Sequence, residues 1–219
     1  MGCTLTATKS SLVENAGQRQ KERFKISKHN LMADDMNMDD ISKKMSESEV
    51  LLEKQLDLNK RQKFLILKSW KGISRDIKTT AVNMFSRLFE TNEELKSYFV
   101  DVSKYTTISD IRTNSRFESH AVMVMHIIDD AMSNLDDITS VESLLLNVGE
   151  SHTRLSWFKS FYFWKLEEPF LLAVRETLGD RYSANMESNY KKAIHFILTL
   201  LEYGFNKKTS SLDGPQSPF

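Results

Sequence analysis

Apolar residues recur at spacings of three and four along much of this chain, for example Ile66, Trp70, Ile73 and Ile77, then Ala81, Phe85 and Leu88. That spacing places side chains on one face of an α-helix and predicts two helices in this stretch. A third starts at Ser115-Arg116-Phe117-Glu118, whose first and fourth residues fit a reciprocal capping box. It continues through Ala121-Val122-Met123-Val124-Met125-His126-Ile127-Ile128, apolar nearly all round, and is expected to lie deep in the core. Thr139-Ser140-Val141-Glu142 fits a second capping box and opens a helix running through Leu144, Leu145 and Val148 towards His152. Two longer stretches follow, 161–178 closed by Gly179, and 184–205 with Ala193, Ile197, Leu200 and Leu201 on one face. Pro169 interrupts the first of these, so a kink is predicted there, or a restart at Glu167-Glu168-Pro169. No strand pattern, internal repeat, sustained heptad or glycine-rich phosphate loop competes, and the class is all-α.

The two ends break the pattern. Lys9, Arg19, Lys21, Arg23, Lys25 and Lys28 outnumber Glu14 and Glu22, and an acidic run, Asp34, Asp35, Asp39 and Asp40, follows. Such a segment buries too little apolar area to offset its ordering entropy, so residues 1–56 read as a disordered N-terminal extension. Residues 208–219 read as a short disordered C-terminal tail. Between them, 57–207 has the size of one helical domain. The 13 Phe and 10 Met supply a core, whereas 7 Gly and 3 Pro leave little for the turns of an all-β fold. Lys+Arg and Asp+Glu are equal at 30 each, so the basic excess that a nucleic-acid binder needs is missing. The single cysteine, Cys3, excludes an intramolecular disulfide. No apolar run reaches signal-peptide or membrane-spanning length, and an intracellular location is expected.

Candidate chemistry rests on histidine. His29 falls in the extension, while His120, His126, His152 and His195 fall on predicted helices. A lone helical histidine is more often a hydrogen-bonded core or surface residue than a ligand. His120 and His152 stand out because each follows a capped helix start and keeps apolar companions one turn away, Phe117 and Val124 for the first, Val148 for the second. An imidazole on an apolar stripe suits an iron porphyrin, whose protein fixes the metal and excludes water with hydrophobic walls. Zinc would need further Cys, His or carboxylate ligands at close spacing, and no such cluster is present. No Ser or Cys sits in a motif that would make it a hydrolytic nucleophile.

Over about residues 57–207 the sequence resembles the globin family. Leu88-Phe89, Leu95 and Phe99 are similar to the globin stretch that ends in the nearly universal phenylalanine against the haem face. Phe99 and His120 are 21 positions apart, the separation expected between that phenylalanine and the distal histidine. His120 and His152 are 32 apart, similar to neuroglobin and globin X. The resemblance implies a globin fold holding haem b, iron protoporphyrin IX. It makes His152 the proximal ligand and His120 the distal residue and a candidate sixth ligand. It places Val124 over the distal face and Phe85 in the distal pocket, with Phe117, Ile128 and Val148 lining the haem. Trp70 corresponds to a core tryptophan of the first globin helix. His126, about 120° round the helix from His120, faces away from the iron, and His195 has no counterpart. Met123 stands where many globins place a basic residue near the haem propionates.

Met1-Gly2-Cys3-Thr4-Leu5-Thr6 matches the N-myristoylation pattern M-G-x-x-x-[ST], with Gly2 as acceptor. One myristoyl chain binds membranes only marginally, and palmitoylation of Cys3 and the basic stretch 19–28 offer the second signal. N-terminal acylation is also a feature of globin X proteins. The expected protein is a membrane-anchored, six-coordinate haem globin at the cytoplasmic face of the plasma membrane. It would bind O2 or other diatomic ligands and act in redox signalling, electron transfer or oxygen sensing, with a redox partner protein supplying electrons. Two alternatives stay open: oxygen transport or storage, and a haem enzyme that reduces nitrite or lipid peroxides or oxygenates nitric oxide. A haem-free adaptor has no physical need for His152, His120 and Phe99.

Overall fold

A computed structural model of the chain describes residues 47–99, 107–112 and 114–212. Gly2, Cys3, His29 and the basic stretch 19–28 lie outside the described residues. The described residues form helices joined by short connections, with no strand among them. In chain order the helices are α1 (Glu47–Leu56), α2 (Lys60–Arg75), α3 (Ile77–Thr91), α4 (Glu93–Tyr98), α5 (Ile108–Arg112), α6 (Ser115–Ser133), α7 (Ile138–Ser151), α8 (Glu167–Leu178) and α9 (Ala184–Leu212). Short 3-10 turns cover His152–Arg154, Ser160–Leu166 and Gly179–Arg181.

Local chemistry explains these boundaries. Asn59 caps α2 in a reciprocal box: its side chain accepts from the Gln62 backbone at 3.0 Å, and the Gln62 side chain accepts from the Asn59 backbone at 3.0 Å. The two capping boxes expected at Ser115 and Thr139 are not the ones used. Asn114, one residue earlier, accepts from the backbones of Arg116 and Phe117 at 3.0 and 2.9 Å and caps α6. Asp137 accepts from Ser140 and caps α7. Asn and Asp with β-region or turn backbone reach the second or third amide as well as Ser or Thr does, so a longer polar side chain upstream took each cap. The restart expected near Pro169 is present. A 3-10 turn ends at Leu166, and Pro169 sits in the first turn of α8, where its missing N–H leaves no intrahelical bond unmade. Gly179 ends α8 with φ of 53°, a conformation that costs glycine little.

The ends depart from the expected boundaries. Residues 47–56, read as part of a disordered extension, form α1, which packs on α7 and α9 with Leu52 and Leu56 buried. Leucines four apart make a local apolar stripe, and the Lys63 ammonium, itself buried, pairs with Glu53 at 2.6 Å. Likewise α9 runs on to Leu212, past position 207, and Lys208 reaches Glu150 on α7 at 2.9 Å.

The core places the site. Trp70 is 1% exposed and stacks on Phe170, while its indole N–H donates to Asp129 at 2.6 Å. Helix α3 lies between α6 and α8, and α7 lies along α9. Phe85 and Phe89 of α3 meet Phe117 of α6 with ring centroids 6.3 and 5.7 Å apart. Helices α6 and α7 also contact each other, and of the two singled-out histidines one lies on α6 and the other directly after α7.

Candidate functional site: a histidine pair in aromatic surroundings

His120 lies one turn into α6, and His152 stands immediately after the last residue of α7. Both rings are part-buried in aromatic surroundings. Phe85 and Phe99 approach the His120 ring edge-on, with centroids at 5.3 and 5.2 Å. Phe158 and Phe163 flank His152 at 4.8 and 4.9 Å. Burial first, and the neighbouring His152 second, push the His120 pKa down to about 4. Burial also lowers the pKa of His152, partly opposed by its backbone hydrogen bond. Both rings are therefore neutral at pH 7, the state in which an imidazole offers a lone pair.

The tautomer of His152 follows from its partner. Its Nδ1 stands 2.8 Å from the Val148 carbonyl, which can only accept, so Nδ1 carries the hydrogen and Nε2 carries the lone pair. A backbone carbonyl behind a histidine is the usual device for orienting a metal-binding ring. Among the described residues the His120 ring has no hydrogen-bond partner, which leaves it free to donate or to ligate. Trp157 joins the two surroundings, its ring 6.4 Å from Phe99 and 5.6 Å from Phe158, so both imidazoles border one aromatic cluster.

The other expected positions are distributed around this pair. Phe99 touches both His120 and Phe89, and Phe85 joins His120 to the core. Phe117 and Ile128 are buried on α6, while Val124 and Val148 are part-buried against the core. His126 is exposed, as its helical angle implied. His195 is exposed too and rests on the Trp164 ring at 4.7 Å, away from the pair. Met123 is 51% exposed. Sequence reasoning missed Phe158 and Phe163, the residues that flank His152. The dense aromatic run from Trp157 to Trp164 straight after the histidine was the available signal. A surface cleft of about 670 Å³ between Thr91, Trp164, Pro169 and Lys191 lies apart from both histidines.

The globin family profile matches residues 82–201. The chain is a globin. It is 31% identical over 150 residues to a neuroglobin of Dissostichus mawsoni, covering 68% of this chain and 94% of the relative. A neuroglobin of Chaenocephalus aceratus is 30% identical over the same coverage. Among solved structures, a hexacoordinated haem protein from an anhydrobiotic tardigrade superposes with a TM-score of 0.67 at 29% identity, covering 70% of this globin and 98% of that chain. A neuroglobin from the marine acoel Symsagittifera roscoffensis, at 21% identity and a TM-score of 0.59, shares the fold over 67% of this chain and 99% of its own.

A globin fold implies a haem, and the donor set here fits one. His152 presents an oriented, unprotonated Nε2, His120 a second neutral ring, and Phe85, Phe99, Phe158 and Phe163 apolar flanks. A structural zinc site would need further ligands, and no group of three or more His, Cys, Asp or Glu side chains placed to hold a metal occurs among the described residues.

Proposed function

We propose that this globin binds haem b with His152 as proximal ligand and His120 as sixth ligand, and serves in redox signalling, electron transfer or oxygen sensing. The observation that carries the reading is the pair itself: two part-buried imidazoles bordering one aromatic cluster, on α6 and just after the adjoining α7, with the His152 tautomer set by Val148. When bound, haem supplies an iron that takes a diatomic ligand or exchanges one electron. The residues do the rest. The Val148 carbonyl holds the His152 ring in register, Phe158 and Phe163 fix its rotation, and Phe85 and Phe99 exclude water from the distal side. With haem held by His152, the His120 ring would compete with a diatomic ligand, and affinity would depend on how readily that ring swings away from Phe85 and Phe99. Phe85 offers no extra donor to hold bound oxygen, which favours a sensing or electron-transfer role over bulk storage.

The same reading puts the protein at the cytoplasmic face of the plasma membrane through acylation of Gly2 and Cys3. Among the described residues no helix is long and apolar enough to cross a membrane, so attachment would rest on the N-terminal lipids and the basic stretch beside them. A redox partner protein would supply electrons.

Titration of the recombinant protein with haem tests the core of the proposal. A Soret band with sharp low-spin bands in the ferrous state is expected, and His120→Leu should replace them with a broad high-spin band while keeping the haem. Absence of a Soret band overturns haem binding. Sharp low-spin bands that persist in His120→Leu overturn the bis-histidine assignment. For the anchor, Gly2→Ala should move the protein from the membrane to the soluble fraction of cells, and unchanged partitioning overturns it.

A further inference from the structure

Helices α7 and α9 cross at a pair of reciprocal glycines. A Cβ placed on Gly149 of α7 would stand 2.1 Å from the Leu201 carbonyl oxygen of α9, and one placed on Gly204 of α9 would stand 2.4 Å from the Leu146 carbonyl oxygen of α7. Each helix therefore offers the other a glycine, and backbone meets backbone with no side chain between. A carbon and a carbonyl oxygen in weak hydrogen-bonding contact sit about 3.3–3.6 Å apart, so either Cβ would push the two helices apart by about 1 Å.

His152 stands three residues beyond Gly149, and a second chain of contacts ties it to the same helix. Phe205, next to Gly204, meets Phe158 and Phe163 at 5.8 and 6.4 Å, and those two rings flank His152. The Glu150–Lys208 ion pair closes the crossing on its outer side. His152 is thus tied to α9 twice, once through the α7 backbone and once through the Phe205 ring.

We propose that Gly149 and Gly204 are positioning residues for the proximal ligand, their close crossing fixing where α7 holds His152 and thereby the strength of its bond to iron. The proposal rests on His152 being that ligand. Helix packing alone would accept ordinary side chains at a crossing, since interaxial distances of 8–10 Å are the norm. The closer approach has its consequence at the end of α7, where the ring sits.

The test uses the full chain loaded with haem in a His120→Leu background, which leaves His152 as the one axial ligand. Gly149→Ala and Gly204→Ala are compared with Gly72→Ala, a helical glycine whose added Cβ would meet only the Arg181 guanidinium at 3.5 Å, an ordinary contact. Resonance Raman reads the ferrous iron–imidazole stretch, and transfer to an acceptor globin reads haem loss. Gly149→Ala and Gly204→Ala should shift the stretch and speed haem loss about 10-fold or more, the range for groups that orient a metal ligand. Gly72→Ala should do neither. A folded Gly149→Ala or Gly204→Ala with the parental stretch and parental haem loss overturns the proposal, even if its melting temperature falls. Should neither fold, Phe205→Leu loosens the second tie to α9 without adding a Cβ, and a parental stretch there overturns the premise that α9 positions the His152 ring. No Soret band in the parent would instead overturn the haem reading on which the proposal stands.

Discussion

Leu56 lies in a segment whose composition reads as disordered, yet it is 0% exposed against α7 and α9. Replacing it with alanine therefore asks whether α1 belongs to the folded domain. Leucine-to-alanine changes at fully buried positions cost roughly 3–5 kcal/mol, the spread reflecting how far neighbours collapse into the cavity. Since α1 ends the described domain and can shift inward, the lower end applies, about 3 kcal/mol. For a domain of this size each kcal/mol moves the melting temperature by roughly 2–4 °C, so a fall of about 6–12 °C is expected. The assay is urea and thermal unfolding of the haem-free protein, which keeps ligand linkage out of the comparison. Lys54→Ala, exposed on the same helix, should stay within about 0.5 kcal/mol. Glu53→Ala should cost about 1–3 kcal/mol, because it leaves the Lys63 ammonium, 9% exposed, with only the Leu135 carbonyl at 3.0 Å. If Leu56→Ala matches Lys54→Ala, α1 contributes no burial and the domain begins at α2.

Three further outcomes follow from local geometry. Asn114→Ala should lower urea stability by about 1 kcal/mol through loss of the α6 cap, while Ser115→Ala should change it by less than about 0.5 kcal/mol. Pro169→Ala should be close to neutral, within about 1 kcal/mol by thermal melting, because the proline occupies the first turn of α8 rather than its interior. Asp129→Ala should cost about 1–3 kcal/mol in urea unfolding, since it strips the buried Trp70 indole of the carboxylate it donates to at 2.6 Å.

How much of this could be read from the chain depends on the range of the interaction. Helical spacing is local, so the course of α2, α3, α6, α7, α8 and α9 was legible, as was the restart at Glu167. Caps are local too, but Asn114 competes with Ser115, and Asp137 with Thr139, for the N-cap position, and the motif alone does not rank them. The family spacing of Phe99, His120 and His152 singled out two histidines that the fold sets among aromatic rings, Phe85 and Phe99 beside the first and Phe158 and Phe163 beside the second. What surrounds His152 was not legible. Phe158 and Phe163 reach it because the chain leaves α7 in a 3-10 turn and doubles back, and a corner of that kind has no periodicity to detect. The glycine crossing is harder still. Gly149 and Gly204 are 55 residues apart, each alone resembles a weak point in a helix, and only the approach of Leu201 to one and Leu146 to the other shows that neither position has room for a side chain. A glycine inside a predicted helix is therefore better read as a question about which backbone it faces than as a defect, and here both answers bear on the helix that ends at the histidine.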